Sequence, residues 1–275
     1  MVTSLEHPAW LKKSSASLKT LDGKSVVVYE LVVDYENEAA LTAWARHFRE
    51  HYCLDAQIDM LRKGPKKSRK DYLVDLIFPD KTDDFGPATR SGDFAEILIS
   101  DLLEYVHGYT VPRTRYGDKK VRNESSKGTD VIGLKMCHGD PDYHSPKDVL
   151  IAFEAKAQLK AKLSKNRLQD AIDHSTKDKL RLAESLNSMN RRLIDLGRLS
   201  EAALVQRFQE PLGRPFLRKS GAAAIYCKNL FNPSEIASVS SKNHENRSNI
   251  RLVVLHSKDM MKLVHDLYAR AADEA

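Results

Sequence analysis

A chain of 275 residues, 41% hydrophobic and 30% charged, can fill one large core or two modest ones, and this ordered-globular composition excludes disordered and fibrous classes. Lys and Arg number 44 against 38 Asp and Glu; the net charge of +6 is modest in sum but clustered, at Lys63, Lys66, Lys67, Arg69 and Lys70, at Lys119, Lys120 and Arg122, and at Lys160, Lys162, Lys165 and Arg167. The three scattered cysteines, Cys53, Cys137 and Cys227, suggest neither a disulfide framework nor a paired-cysteine zinc module, and no run suits a signal peptide or a membrane span, so a cytoplasmic location is expected.

Residues 26–34, VVVYELVVD, predict a strand buried on both faces. The period then changes: Ala40, Leu41, Trp44, Ala45, Phe48 and Tyr52 recur at three- and four-residue steps, which predicts an amphipathic helix over 36–52. GPKKSRK, at 64–70, reads as an exposed turn, and 72–78 resumes a strand-like pattern. These elements make a small N-terminal αβ unit, residues 1–88. KTDDFGPATRSG, at 81–92, is dense in turn formers and carries the expected domain junction, leaving 89–275 as the second domain. There the order of helix, three strands, helices, two strands and a final helix predicts an α/β fold, a mixed central sheet flanked by helices.

The second domain holds the residues that could do chemistry. A helix beginning near Asp93, DFAEILISDLLEYVHG, places Glu96 in line with Ile99 and Leu103, so a carboxylate interrupts an apolar stripe. Two readings stay open: a functional acid, or the partner of an N-cap at Asp93 in a capping box. A short strand over 109–116 and a basic hairpin-like stretch follow, and KGTDVIGLKM then sets Asp130 at the head of a strand with Ile132 and Leu134 on its face. In DVLIAFEAKAQL, 148–159, Leu150, Ala152, Glu154 and Lys156 point one way and Val149, Ile151, Phe153 and Ala155 the other. An acid and a base two residues apart in an otherwise apolar strand are costly to bury without close pairing, and the alternative is an edge strand that leaves both solvated.

Carboxylates gathered in this way suit a hard divalent cation, Mg²⁺ with Mn²⁺ as a substitute, held by Asp130, Glu154 and Glu96, with Lys156 beside it to position a water and stabilise charge on a phosphoryl group. The basic clusters make Lys119, Lys120, Arg122 and Lys160 candidate nucleic-acid contacts, or else solvated loops. CHGDPDYH, with Cys137, His138, Asp140, Asp142 and His144, is a weaker metal candidate in a loop. No nucleophile elbow, P-loop or dinucleotide fingerprint is present.

The order helix-Glu96, then Gly128-Thr129-Asp130, then Glu154-Ala155-Lys156 resembles the core of the PD-(D/E)XK nucleases, with Thr129 where the name has proline. The wider run from SGDFAEILISDLL through GTDVIG to AFEAKAQL is similar to the HamA family, the nuclease subunits of the Hachiman anti-phage defence system. The resemblance implies a restriction-endonuclease-like fold, a Mg²⁺-dependent DNA endonuclease with Glu96, Asp130, Glu154 and Lys156 as catalytic residues, and a heteromeric complex with a partner helicase, HamB, for which residues 1–88 could be the docking surface. It also implies a helix after the Glu-x-Lys strand, here residues 166–175, with Gln169, Asp173 and His174 near the metal or DNA. From a different class, a non-catalytic subunit that docks on a helicase and holds nucleic acid through its basic clusters fits the same composition.

Overall fold

The computed structural model describes residues 5–83, 85–139, 143–176 and 178–275, with backbone alone at 178–180. The N-terminal part supplies strands β1 (Leu11–Lys13), β2 (Leu18–Lys19) and β3 (Ser25–Leu31), then helices α1 (Glu38–Glu50), α2 (Asp55–Leu61) and α3 (Arg69–Tyr72). The long helix α4 (Gly86–Asp101), β4 (Val131–Lys135) and β5 (Val149–Gln158) follow, then helices α5 (Arg167–Ser175), α6 (Asp178–Asp195) and α7 (Leu199–Arg207). Strand β6 (Leu217–Cys227), helix α8 (Pro233–Ala237), strand β7 (Ile250–Ser257) and helix α9 (Met260–Asp273) close the chain.

The strands form one mixed sheet in the order β1-β3-β7-β6-β5-β4, with β2 also on β3. Neighbours from β3 to β5 run parallel, while β4 pairs antiparallel with β5 and β1 with β3. A parallel interior covered on both faces explains the apolar runs VVVY in β3 and AAAIY in β6. Helices α1, α4 and α9 bury one face, through Trp44, Phe94, Leu98 and Leu267. On the other face α5 and α8 cover β6 and β7, and α6 and α7 cover β4 and β5. Gly221 on β6 lies under the ring of Phe153 opposite it, where an added Cβ would come within 2.4 Å. Among the described residues no helix is long and apolar enough to cross a membrane.

The mixed sheet flanked by helices agrees with the sequence, but several local expectations differ. Residues 72–78 are helical rather than extended, because Tyr72, Leu73 and Phe78 turn inward while Val74 and Leu76 stay exposed; a short apolar run carries no reliable period. Residues 109–116 make only an isolated bridge, Thr110 to Leu134, and Pro112 cannot donate to a ladder. The turn-rich segment 81–92 runs into α4, which starts at Gly86 with Pro87 in its first turn, where the missing N–H costs nothing. Residues 1–88 and 89–275 share one sheet and one apolar cluster, with Val28 paired to Val254 and α1 packed on α9.

Candidate active site

The register of β4 against β5 determines which side chains meet. Val131 pairs with Phe153 and Ile132 with Ala152, so Asp130, one step beyond the last pair, stands across from Glu154. Cross-strand partners share a face, and this face is the one on which Leu150 and Ala152 meet Ile132 and Leu134. Gly128, with φ +99, bends the chain into this position; Ser185 packs against it and accepts a hydrogen bond from Thr129 N at 3.0 Å. The backbone N–H of Ala155 donates to Asp130 Oδ2 at 3.0 Å, fixing the carboxylate beside its neighbour.

Glu154 is 3% exposed, which excludes a solvated edge-strand role. Its Oε1 lies 2.5 Å from Lys156 Nζ and 3.5 Å from Nδ1 of His174, which α5 holds over the strand. Its Oε2 is buried with no hydrogen-bond partner among the described residues. Burial and the charge of Glu154 together raise the pKa of Asp130, against the pull of Arg115. Two buried acids, one of them with an unfilled lone pair, fit a hard divalent cation: the donors are oxygens, and a cation would supply the missing charge.

Of the two readings of Glu96, the structure excludes the capping box. Because α4 begins at Gly86, Glu96 lies within the helix and is no capping-box acid. It sits on a helix that packs against the opposite face of the sheet, and it connects to Asp130 through Arg115, whose Nε is 2.9 Å from Glu96 Oε2 and whose Nη2 is 3.1 Å from Asp130 Oδ1. Tyr116 donates a hydrogen bond to Glu96 Oε2 at 2.6 Å, whereas the contact from Arg115 Nε is an ion pair without hydrogen-bond geometry. Burial raises the carboxyl pKa of Glu96 despite Arg115. Arg115 and Tyr116, in the loop PRTRY, are the functional candidates that sequence reading missed; two arginines two residues apart were their only signal.

The basic residues divide. The side chain of Lys119 is largely buried and tied to Asp93 at 2.5 Å, which also accepts from Tyr52, at the lining of the cleft beside Asp130. Arg122 fastens Asp80 and the carbonyls of Val74 and Phe78. Gln169 joins α5 to Ser240 through both ends of its amide and donates to Asp173. Arg207 is fully buried against Asp148, and Arg198 pairs with Glu201. Lys120 and Lys160 are exposed. A cleft of about 480 Å³ opens beside Asp130, lined by Arg115, Lys120, Lys127, Ser185 and Arg192.

In the loop 137–144, Asp140 and Asp142 lie outside the described residues, while the ring of His138 packs edge-on against Tyr143. Elsewhere, Nε2 of His7 and of His47 lie 3.0 and 2.9 Å from the two oxygens of Asp101. Arg113 Nη2 donates to Asp101 Oδ1 at 2.7 Å, while its Nη1 bonds His51 Nε2 and its Nε reaches Glu104. Burial alone would raise the pKa of Asp101, but Arg113, His47 and His7 outweigh it and hold the carboxyl well below its usual range.

A protein-family model described as HamA matches residues 8–271. The chain belongs to the HamA family. It is thereby a component of the Hachiman anti-phage defence system. No curated protein and no solved structure matches it. In this HamA chain the matched stretch takes in the N-terminal strands as well as the Asp130–Glu154–Lys156 centre.

Proposed function

We propose that this HamA-family chain is a Mg²⁺-dependent DNA endonuclease that acts in the cytoplasm as the effector subunit of a defence complex with the helicase HamB. The supporting observation is Asp130, Glu154 and Lys156 gathered on one sheet face, with a buried carboxylate oxygen left without a partner.

Asp130 and Glu154 would hold the cation, Mg²⁺ or Mn²⁺, which supplies Lewis-acid charge beside the scissile phosphate. Lys156, its ammonium held against Glu154, orients the attacking water and keeps positive charge where the phosphoryl oxygens gain negative charge. The backbone amide of Ala155 and the guanidinium of Arg115 fix both oxygens of Asp130. The water oxygen gives up a proton to solvent and bonds to phosphorus as the bond to the leaving sugar oxygen breaks, and that oxygen takes up a proton from solvent. His174, with about half its side chain exposed, stands over this centre with Nδ1 3.5 Å from Glu154 Oε1. The basic cleft draws the backbone in without reading bases.

The test is cleavage of plasmid DNA by purified protein, with and without HamB. Wild type should cut with Mg²⁺ or Mn²⁺, and Lys156→Ala should lose about 10²–10³ in rate while remaining folded by circular dichroism. Salt-sensitive DNA binding that survives this substitution, with no cleavage under either metal, would instead identify a non-catalytic binding subunit.

A further inference from the structure

Arg115 is caged by oxygen. Its Nη1 donates to Thr129 O at 2.6 Å and faces Lys127 O at 3.5 Å; its Nη2 donates to Ser126 O at 2.7 Å and Asp130 Oδ1 at 3.1 Å; and its Nε stands 2.9 Å from Glu96 Oε2. Three main-chain carbonyls and two carboxylates are the donor set that a hard divalent cation selects. Here they surround a guanidinium, which does not deprotonate in a protein.

The rest of the centre is asymmetric. Glu154 Oε1 is held by Lys156, while Oε2 has no partner. The open oxygen therefore lies on the Glu154 side, whereas Glu96 Oε2 already faces Arg115 and Tyr116 and both oxygens of Asp130 are engaged. Behind Glu96, the charge of Asp93 is already met by Lys119. A divalent ion between Asp130 and Glu154 would engage the open oxygen, whereas a second ion at Glu96 would have to displace the guanidinium or stand against it.

We infer that Arg115 fills the place of a second cation, so that the centre works with one exchangeable metal ion and Glu96 serves as the anchor of Arg115 rather than as a metal ligand. The inference rests on the nuclease reading and deepens it. Arg115 is a positioning residue: it fixes Asp130 and the carbonyls of Ser126, Lys127 and Thr129, and it replaces with a permanent charge one that would otherwise depend on metal concentration.

Counting Mn²⁺ on the full chain without nucleic acid, by the electron paramagnetic resonance of unbound ion and by calorimetry, tests this independently of cleavage. Wild type should bind one ion per chain and Arg115→Lys one. Arg115→Ala should bind two, the second being displaced by millimolar guanidinium, which restores the missing group. Glu96→Gln should still bind one, and this arm decides the matter should Arg115→Ala fail to fold. Two ions on wild type, one on folded Arg115→Ala, or loss of the ion in Glu96→Gln would each overturn the inference. No ion on wild type would sink the nuclease reading itself, whereas one ion on both wild type and Arg115→Ala sinks only the role given to Arg115.

Discussion

Two of the buried acids on helix α4 enter ion clusters built from similar parts, and the clusters differ in whether every carboxylate oxygen is engaged. At its C-terminal end Asp101 receives His7, His47 and Arg113, and both its oxygens are engaged. Further back Glu96 shares Arg115 with Asp130, and Asp130 faces Glu154, whose Oε2 has no partner. The first arrangement pulls its carboxyl pKa well down; the second raises those of Glu96 and Asp130, burial being the largest cause in each. Equal burial therefore does not mean equal role. The carboxylate with both oxygens engaged ties the N-terminal segment, α1 and α4 together, while the pair at Asp130 and Glu154 leaves one buried oxygen without a partner among the described residues.

The sharpest way to break this comparison is a matched pair of amides. Glu154→Gln should lower cleavage by at least about 10²–10³ and leave the thermal midpoint unchanged or raised, since it removes repulsion from Asp130. Asp101→Asn should destabilise by about 3–5 kcal/mol in denaturant titrations, because it leaves the Arg113 guanidinium short of a buried partner. Both variants losing stability alike would erase the distinction between the clusters.

A smaller effect is the sign of the pH dependence. Burial first, with Arg113 adding to it, holds His51 well below 6.5, and burial lowers His7 as well. Both rings stay neutral in the fold when the unfolded chain takes up protons, so their stability is present above about pH 6.5 and drains as pH falls, by up to roughly 1.4 kcal/mol per unit for each ring. His51→Gln, which keeps an acceptor for Arg113, should flatten that acid limb. At the centre the raised acids act oppositely: the fold retains protons that the unfolded chain has released, so stability falls as pH rises above the ordinary carboxylate range, and Glu96→Gln should flatten that limb.

The smallest expected change lies at the rim. Lys120→Ala and Lys127→Ala, on the cleft beside Asp130, should weaken DNA binding evenly across sequences. Each should reduce the slope of log affinity against log salt by about 1, with stability unaltered. The same change at Lys119 should instead cost stability, because that ammonium is the buried partner of Asp93.

Much of the centre could be read along the chain because β-strand alternation is local. Glu154 and Lys156 share a face by period alone, and the same apolar runs announced the central strands and α1. The start of α4 could not be read this way: Gly86, Pro87 and Gly92 are turn formers in isolation and become helix where Gly86 packs against Asp80 and the helix reaches β5. A loop such as 109–127 has no period, so the inward turn of Lys119 and the reach of Arg115 left no linear trace.

The sequence by itself therefore determined that the long apolar runs of the central sheet are extended, which of their faces are apolar, and that an acid and a lysine interrupt one of them, because these properties depend on neighbours within a few residues. Only the tertiary structure decided that Asp130 stands across from Glu154, that Arg115 rather than an open ligand position meets Glu96, and that the N-terminal strands complete the same sheet. Register and ion pairing arise from contacts between segments far apart in the chain, and their energies depend on burial and charge balance that no local pattern encodes.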